Sequence, residues 1–274
     1  MLGHMASRVQ QKQQRRAEQR RAAVQHTRRA RLTWLAALVV AAAAAIALTA
    51  ALGSSGGAKA TPPAPAPSVV STVRRELAGI PQSGMTLGSP TAPVTVTEYG
   101  DLVCPTCAAF AGATEPALIA REVRSGKVKL VFRGLETASL TANNAAYDAT
   151  IAAVGSAGRQ DRAWWYILLA YGLQPQSIGG RPAEDVGYVN DAYLQRIAAQ
   201  IPGLDTVAWQ AHLVDPALLA AVKADAADAA AAGVDSTPTL VFSGPRGSVQ
   251  YDRDNTLSAI PTLSQMQQLI AQVS

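Results

Sequence analysis

An α/β domain with a helical insertion, preceded by one N-terminal transmembrane helix, is the fold class this 274-residue sequence predicts. Three observations predict it. Residues 32–52 form an uncharged apolar run; an alternating Val/Thr strand leads directly into a helix; and an Ala-rich helical stretch separates that unit from a second group of strands.

Residues 1–31 carry nine Arg/Lys against one Glu, a net +8. The following 21 residues, Leu32 to Leu52, span about 31 Å at 1.5 Å per residue, enough for a bilayer core. The positive-inside rule puts the tail in the cytoplasm and everything after Leu52 outside. Ala58-Lys59-Ala60 has the form of a cleavage site, so a removed signal peptide is the competing reading. The long basic tail and the length of the apolar run favour an uncleaved anchor. The whole chain is +5, which leaves −3 beyond the tail. The basic charge therefore belongs beside anionic lipid headgroups, and the ectodomain gives nucleic acid binding no support.

Gly53 to Pro67 reads as a linker, flexible first and then polyproline-like. Ser68–Ala78 adds a short helix, and the pattern sets the main folded domain at 85–274, with 53–84 as linker and N-terminal extension. That domain has about 190 residues, ample for a core of its own. Its first strand begins at Val94. Lys127–Arg133 alternates as a second, Thr239–Ser243 and Ser248–Tyr251 form a hairpin, and Pro261–Val273 closes the chain as a helix. The insertion covers about 139–232, where Asp215-Pro216 is an N-cap and first-turn pair and Gly233 a stop. Trp164, Trp165, Tyr166 and Tyr171 are core positions, with room for a few to line an apolar peptide groove.

The chemistry rests on the only two cysteines, arranged Cys104-Pro105-Thr106-Cys107. Such a pair suits half a zinc site or a redox disulfide. Zinc needs two more ligands, and His4, His26 and His212 are too scattered to supply them, so no metal is expected. A purely structural bridge across so short a loop would remove little unfolded-state entropy. Gly100 and Asp101 break the strand, Pro105 suits a first helical turn, and Ala108–Arg124 continues as helix with a kink near Pro116. Cys104 then caps a helix N-terminus, where the dipole and free N–H groups favour a thiolate. It is the expected attacking sulfur, and Cys107 the resolving one. Glu98 shares strand parity with Val94 and Val96, so its carboxyl faces the buried side and its pKa is expected to rise. Asp101, after the turn glycine, reads as more exposed.

The strand–CPxC–helix unit and a second segment, Gly233-Val234-Asp235-Ser236-Thr237-Pro238-Thr239-Leu240-Val241-Phe242, resemble the DsbA-like branch of the thioredoxin superfamily across about 85–274. The resemblance implies a thioredoxin-like fold with helical insertion. It implies a cis Pro238, a Thr237 that lies beside the disulfide and pairs its backbone with substrate, and a Glu98 that relays protons to Cys107. The departure is Thr106, where strongly oxidising members commonly carry His. A hydroxyl without charge stabilises the thiolate less, so the disulfide is expected to be less oxidising.

The expected protein is a membrane-anchored, extracytoplasmic protein-disulfide oxidoreductase that needs no cofactor. Its partners are cysteine-containing exported proteins, membrane lipids through the anchor and, by resemblance, a quinone-linked membrane oxidase. The rivals are a reductase or isomerase, as in cytochrome c maturation; a binding or holdase protein on the same fold; and a sensor signalling through the cytoplasmic tail.

Overall fold

The computed structural model describes residues 68–138, 144–251 and 260–274; the basic tail, the apolar run 32–52 and the linker lie outside them. Among the described residues no helix is long and apolar enough to cross a membrane.

Helix α1 (Val69–Leu77) opens the fold, with the Ser68 hydroxyl accepting from the Ser71 N–H as its cap. Val69, Val73 and Leu77 recur every fourth residue, and this stripe packs α1 onto the body of the domain, burying Val73 and Leu77. Strands β1 (Gln82–Ser83) and β2 (Thr86–Leu87) follow. The folded unit therefore begins well before Met85. The sequence set 68–84 in the extension because that stretch is short and borders a Pro-rich linker, but its apolar residues belong to the core.

Strand β3 (Val94–Gly100) is the sheet's centre, parallel to β4 (Val128–Gly134) and antiparallel to β7 (Thr239–Gly244), which pairs with β8 (Gly247–Tyr251). The order is β1-β2-β4-β3-β7-β8. Between β3 and β4 run α2 (Pro105–Ala113) and α3 (Glu115–Leu118), the latter continuing into a π turn over Ile119–Val123 closed by the Arg124 N–H on the Ile119 carbonyl. One kinked helix was expected here. The observed break falls at Thr114, because Pro116 has no N–H to continue the ladder.

The insertion between β4 and β7 contains α4 (Asn144–Gly158), α5 (Ala163–Gly172), α6 (Asp191–Ala198), α7 (Thr206–His212) and α8 (Pro216–Ala231), with a small hairpin, β5 (Ser177–Ile178) and β6 (Arg181–Pro182), that the sequence did not suggest. Trp164, Tyr166 and Tyr171 are buried core residues, and Trp165 is partly buried against them. Asp215 caps α8 by accepting from the Ala217 N–H, and Gly233 ends it at φ +69°. Helix α9 (Leu263–Val273) closes the fold with a capping box between Thr262 and Gln265.

Candidate active site

Strand parity fixes the first element of the site. Val94, Val96 and Glu98 are buried while Thr95 and Thr97 are partly exposed, so the Glu98 carboxyl lies beneath the carboxyl end of the central strand at 1% exposure. Gly100 ends the strand where a Cβ would meet Phe132 Cε2 and the Tyr171 hydroxyl, each at 2.7 Å. Only a bare Cα lets that hydroxyl and ring approach.

The turn after Gly100 is held by Asp101. Its Oδ1 accepts from the Val103 N–H at 3.0 Å, and its Oδ2 accepts from the N–H groups of Thr137 and Ala138, both at 2.9 Å. Asp101 is fully buried, not exposed as the turn glycine suggested. The backbone donors that draw it inward come from a loop 36 residues away, which local sequence does not reveal.

Cys104 is the N-cap of α2 at φ −70°, ψ 120°, with Pro105 at the first helical position. Because β7 runs antiparallel to β3 with Thr239 opposite Tyr99, the residues before β7 arrive beside the residues after β3. This topology brings Thr237 and Pro238 onto the cysteines. The Thr237–Pro238 peptide is cis, and the Cys104 thiol donates to the Thr237 carbonyl at 3.7 Å. The Thr237 hydroxyl lies 2.5 Å from that of Thr137, tying the loop to the end of β4.

The two sulfurs differ sharply. Cys104 is held down at about 6, first by a hydrogen bond from the Cys107 thiol, then by the Thr237 side chain and the backbone N–H groups of Cys107 and Thr106, against the opposing cost of burial. Cys107 is completely buried, and desolvation pushes it well above the ordinary thiol range; the negative charges of Cys104 and Glu98 add to this. Thr106 is half-buried and Pro105 exposed, leaving the motif's outer face open.

Below the pair lies an acid that the sequence reading missed. Glu115, first residue of α3, is 1% exposed and lies within electrostatic reach of Glu98. Burial raises Glu98 to about 7, although the Glu115 side chain partly opposes that rise; burial and the Glu98 charge raise Glu115 well above the carboxylate range. Two carboxyls so placed resist ionising together, so the pair retains a proton near neutrality. The available signal was that Glu115 is the lone charge in the apolar run 108–120.

A family model described as Thioredoxin matches residues 81–260, about two-thirds of the chain. The chain belongs to the thioredoxin family. Solved structures similar to this thioredoxin-family chain include BdbD from Bacillus subtilis in its oxidised form, at 18% identity and TM-score 0.55 over 70% of this chain and 95% of that one. DsbA from Chlamydia trachomatis matches at 16% identity and TM-score 0.53, covering 69% and 90%. The α-DsbA1 protein of Wolbachia pipientis matches at 18% and 0.51, covering 69% and 89%. At these identities the likeness is one of fold: a thioredoxin-like sheet carrying a helical insertion, as in DsbA proteins. A curated relative, the Na(+)/H(+) antiporter NhaA 1 of Salinispora arenicola, is 29% identical over 173 residues. Those residues are 63% of this chain and 24% of the relative, so the chain spans about a quarter of the protein it matches.

Proposed function

We propose that this chain is an extracytoplasmic thiol–disulfide oxidoreductase that introduces disulfides into exported proteins through the Cys104–Cys107 pair. The observation that carries the proposal is the asymmetry of the dithiol. A nearly buried Cys104 with a depressed pKa sits against the Thr237–Pro238 loop, while a fully buried Cys107 has a raised one.

A substrate thiolate attacks Cys104 of the disulfide, forming a mixed disulfide and expelling Cys107, which takes up a proton with Glu98 as its nearest store. The substrate's second thiolate attacks its own sulfur in that mixed disulfide. The substrate leaves oxidised by two electrons, and Cys104 leaves as a stabilised thiolate. The Thr237 backbone pairs with the substrate chain during this exchange. A quinone-linked membrane oxidase then accepts two electrons and two protons and restores the disulfide. The 32–52 segment anchors the domain at the membrane with the basic tail in the cytoplasm, and the Pro-rich linker gives it reach.

A reductase or isomerase is the second reading, favoured by Thr106 and by a Cys104 pKa of about 6. That value lies nearer the roughly 7 typical of thioredoxin than the roughly 3.5 of a strong oxidant. The reduction potential of the full-length protein in glutathione buffers separates the two. A value at or above about −180 mV supports the donor, and one near about −270 mV supports the reductase. Absence of any cycling would sink both and leave a binding protein.

A further inference from the structure

A crevice of about 200 Å³ opens between α1, α2 and α5. Thr72 and Glu76 of α1, Gly112 of α2, Pro116 beside Glu115, and Tyr171 of α5 are among its lining residues. Glu76 is half-buried there, so it meets both the crevice and solvent. Several polar atoms of the acid pair and of Tyr171 lack a well-formed hydrogen bond. Both Glu98 oxygens, Glu115 Oε2 and the Tyr171 hydroxyl have no hydrogen-bond partner of good geometry, although all three side chains are more than nine-tenths buried. Buried polar atoms without partners are rare in native folds; the crevice is largely apolar but opens to solvent, and Thr72, Glu76 and Tyr171 give water polar partners along it.

We infer that Glu115 and Glu76 extend Glu98 into a proton relay, Cys107–Glu98–Glu115–water–Glu76, whose outlet is the α1/α2/α5 crevice. This rests on the oxidoreductase reading of the same site. It answers a need that the dithiol creates: Cys107 has no exposed face, yet must gain a proton on leaving and lose one before attacking. The charged or titratable groups that meet Glu115 electrostatically are Glu98 on β3, Glu76 on α1 and Tyr171 on α5; Arg75 lies beside Glu76, and Arg124 donates to the Glu76 carbonyl at 2.9 Å. In the adjoining π turn Glu122 is engaged by Gln267 and Lys127. Helix α9, packed nearby, carries no titratable side chain. The charge of Glu76 is felt at Glu115, and Glu76, half-buried in the crevice wall, stands between the acid pair and solvent, with burial raising its pKa against the opposing charge of Arg75.

The relay is tested on the full-length protein by reacting the reduced form with oxidised glutathione. Two rates are followed: attack by Cys104, and resolution of the Cys104–glutathione mixed disulfide by Cys107. Glu115→Gln is expected to slow resolution about tenfold and Glu76→Gln about threefold at neutral pH, with Cys104 attack unchanged in both. Added imidazole should restore the Glu76→Gln rate in proportion to its concentration, which a packing defect would not allow, and Glu76→Asp should retain most of the wild-type rate. Unaltered resolution from pH 5 to 9 in both Gln variants, with normal Cys104 attack, would overturn the relay alone. Failure of Cys104 in the wild-type chain to exchange with glutathione would overturn the oxidoreductase reading and the relay with it.

Discussion

Cys104 and Asp215 open their helices with the same backbone. Both sit at φ −70°, ψ 120°, and both are followed by proline in the first turn. At α8 the Asp215 carboxylate accepts from the Ala217 N–H at 2.8 Å and pairs with Arg159, and the backbone bond is the leading cause of its lowered pKa. At α2 the Cys104 side chain makes no capping bond. The N-terminal N–H groups of α2 are therefore kept for a charge that appears only when the thiol ionises or the disulfide opens. One device serves stability at α8 and reactivity at α2; the difference lies in whether the anion is permanent.

The comparison breaks most severely at the sulfur. Cys104→Ser should lower disulfide exchange by at least about a thousandfold, read as loss of turnover with a dithiol substrate, because the attacking atom is gone. Asp215→Ser, by contrast, keeps a capping oxygen and should leave turnover unchanged.

Charge buried below α2 behaves oppositely to charge exposed at α8, and Glu98→Gln sharpens that contrast. The folded pKa of Glu98 is raised to about 7 from 4.5, so the native state binds more protons than the unfolded state across that window. Wild-type stability therefore falls as pH rises through it, and the Gln variant escapes the fall. Urea denaturation should find Glu98→Gln more stable by on the order of 2–3 kcal/mol above pH 7 and equal to wild type below pH 4.5. Equal stability of the two at pH 8 would contradict the raised pKa of the buried carboxyl.

Supplying the missing charge at α2 is a smaller change. Thiolate absorbance at 240 nm should titrate near pH 6 in the wild type. Thr106→His should lower that midpoint by about one unit, worth about 1.4 kcal/mol, and make the disulfide more oxidising. Removing the permanent anion at α8 is smaller still. Asp215→Ala should lower the urea midpoint slightly at pH 7 and by less as pH falls below the carboxylate range, with the Cys104 titration unmoved.

Sequence spoke clearly wherever the determining interactions are local. Strand alternation marked the burial of Glu98, proline after Cys104 marked the start of α2, and Asp215-Pro216 and Gly233 bounded α8. It was silent where distant backbone decides the outcome. Asp101 is buried because Thr137 and Ala138 present their N–H groups to it, and the acid pair exists because the break at Thr114 begins a new helix at Glu115. The pairing of Thr237 with Cys104 lies between: the motif suggested it, and the antiparallel register of β7 on β3 supplies the physical reason.

Helix α1 carries a consequence for where the chain tolerates being cut. A protease acting in the Pro-rich stretch before Ser68 would release a unit with its core intact. A cut just before Met85 would strip Val73, Leu77 and Ile80 from the core and Glu76 from the crevice. Residues 68–84 are thus already part of the folded unit, and a shortened version meant to report on the dithiol must keep them.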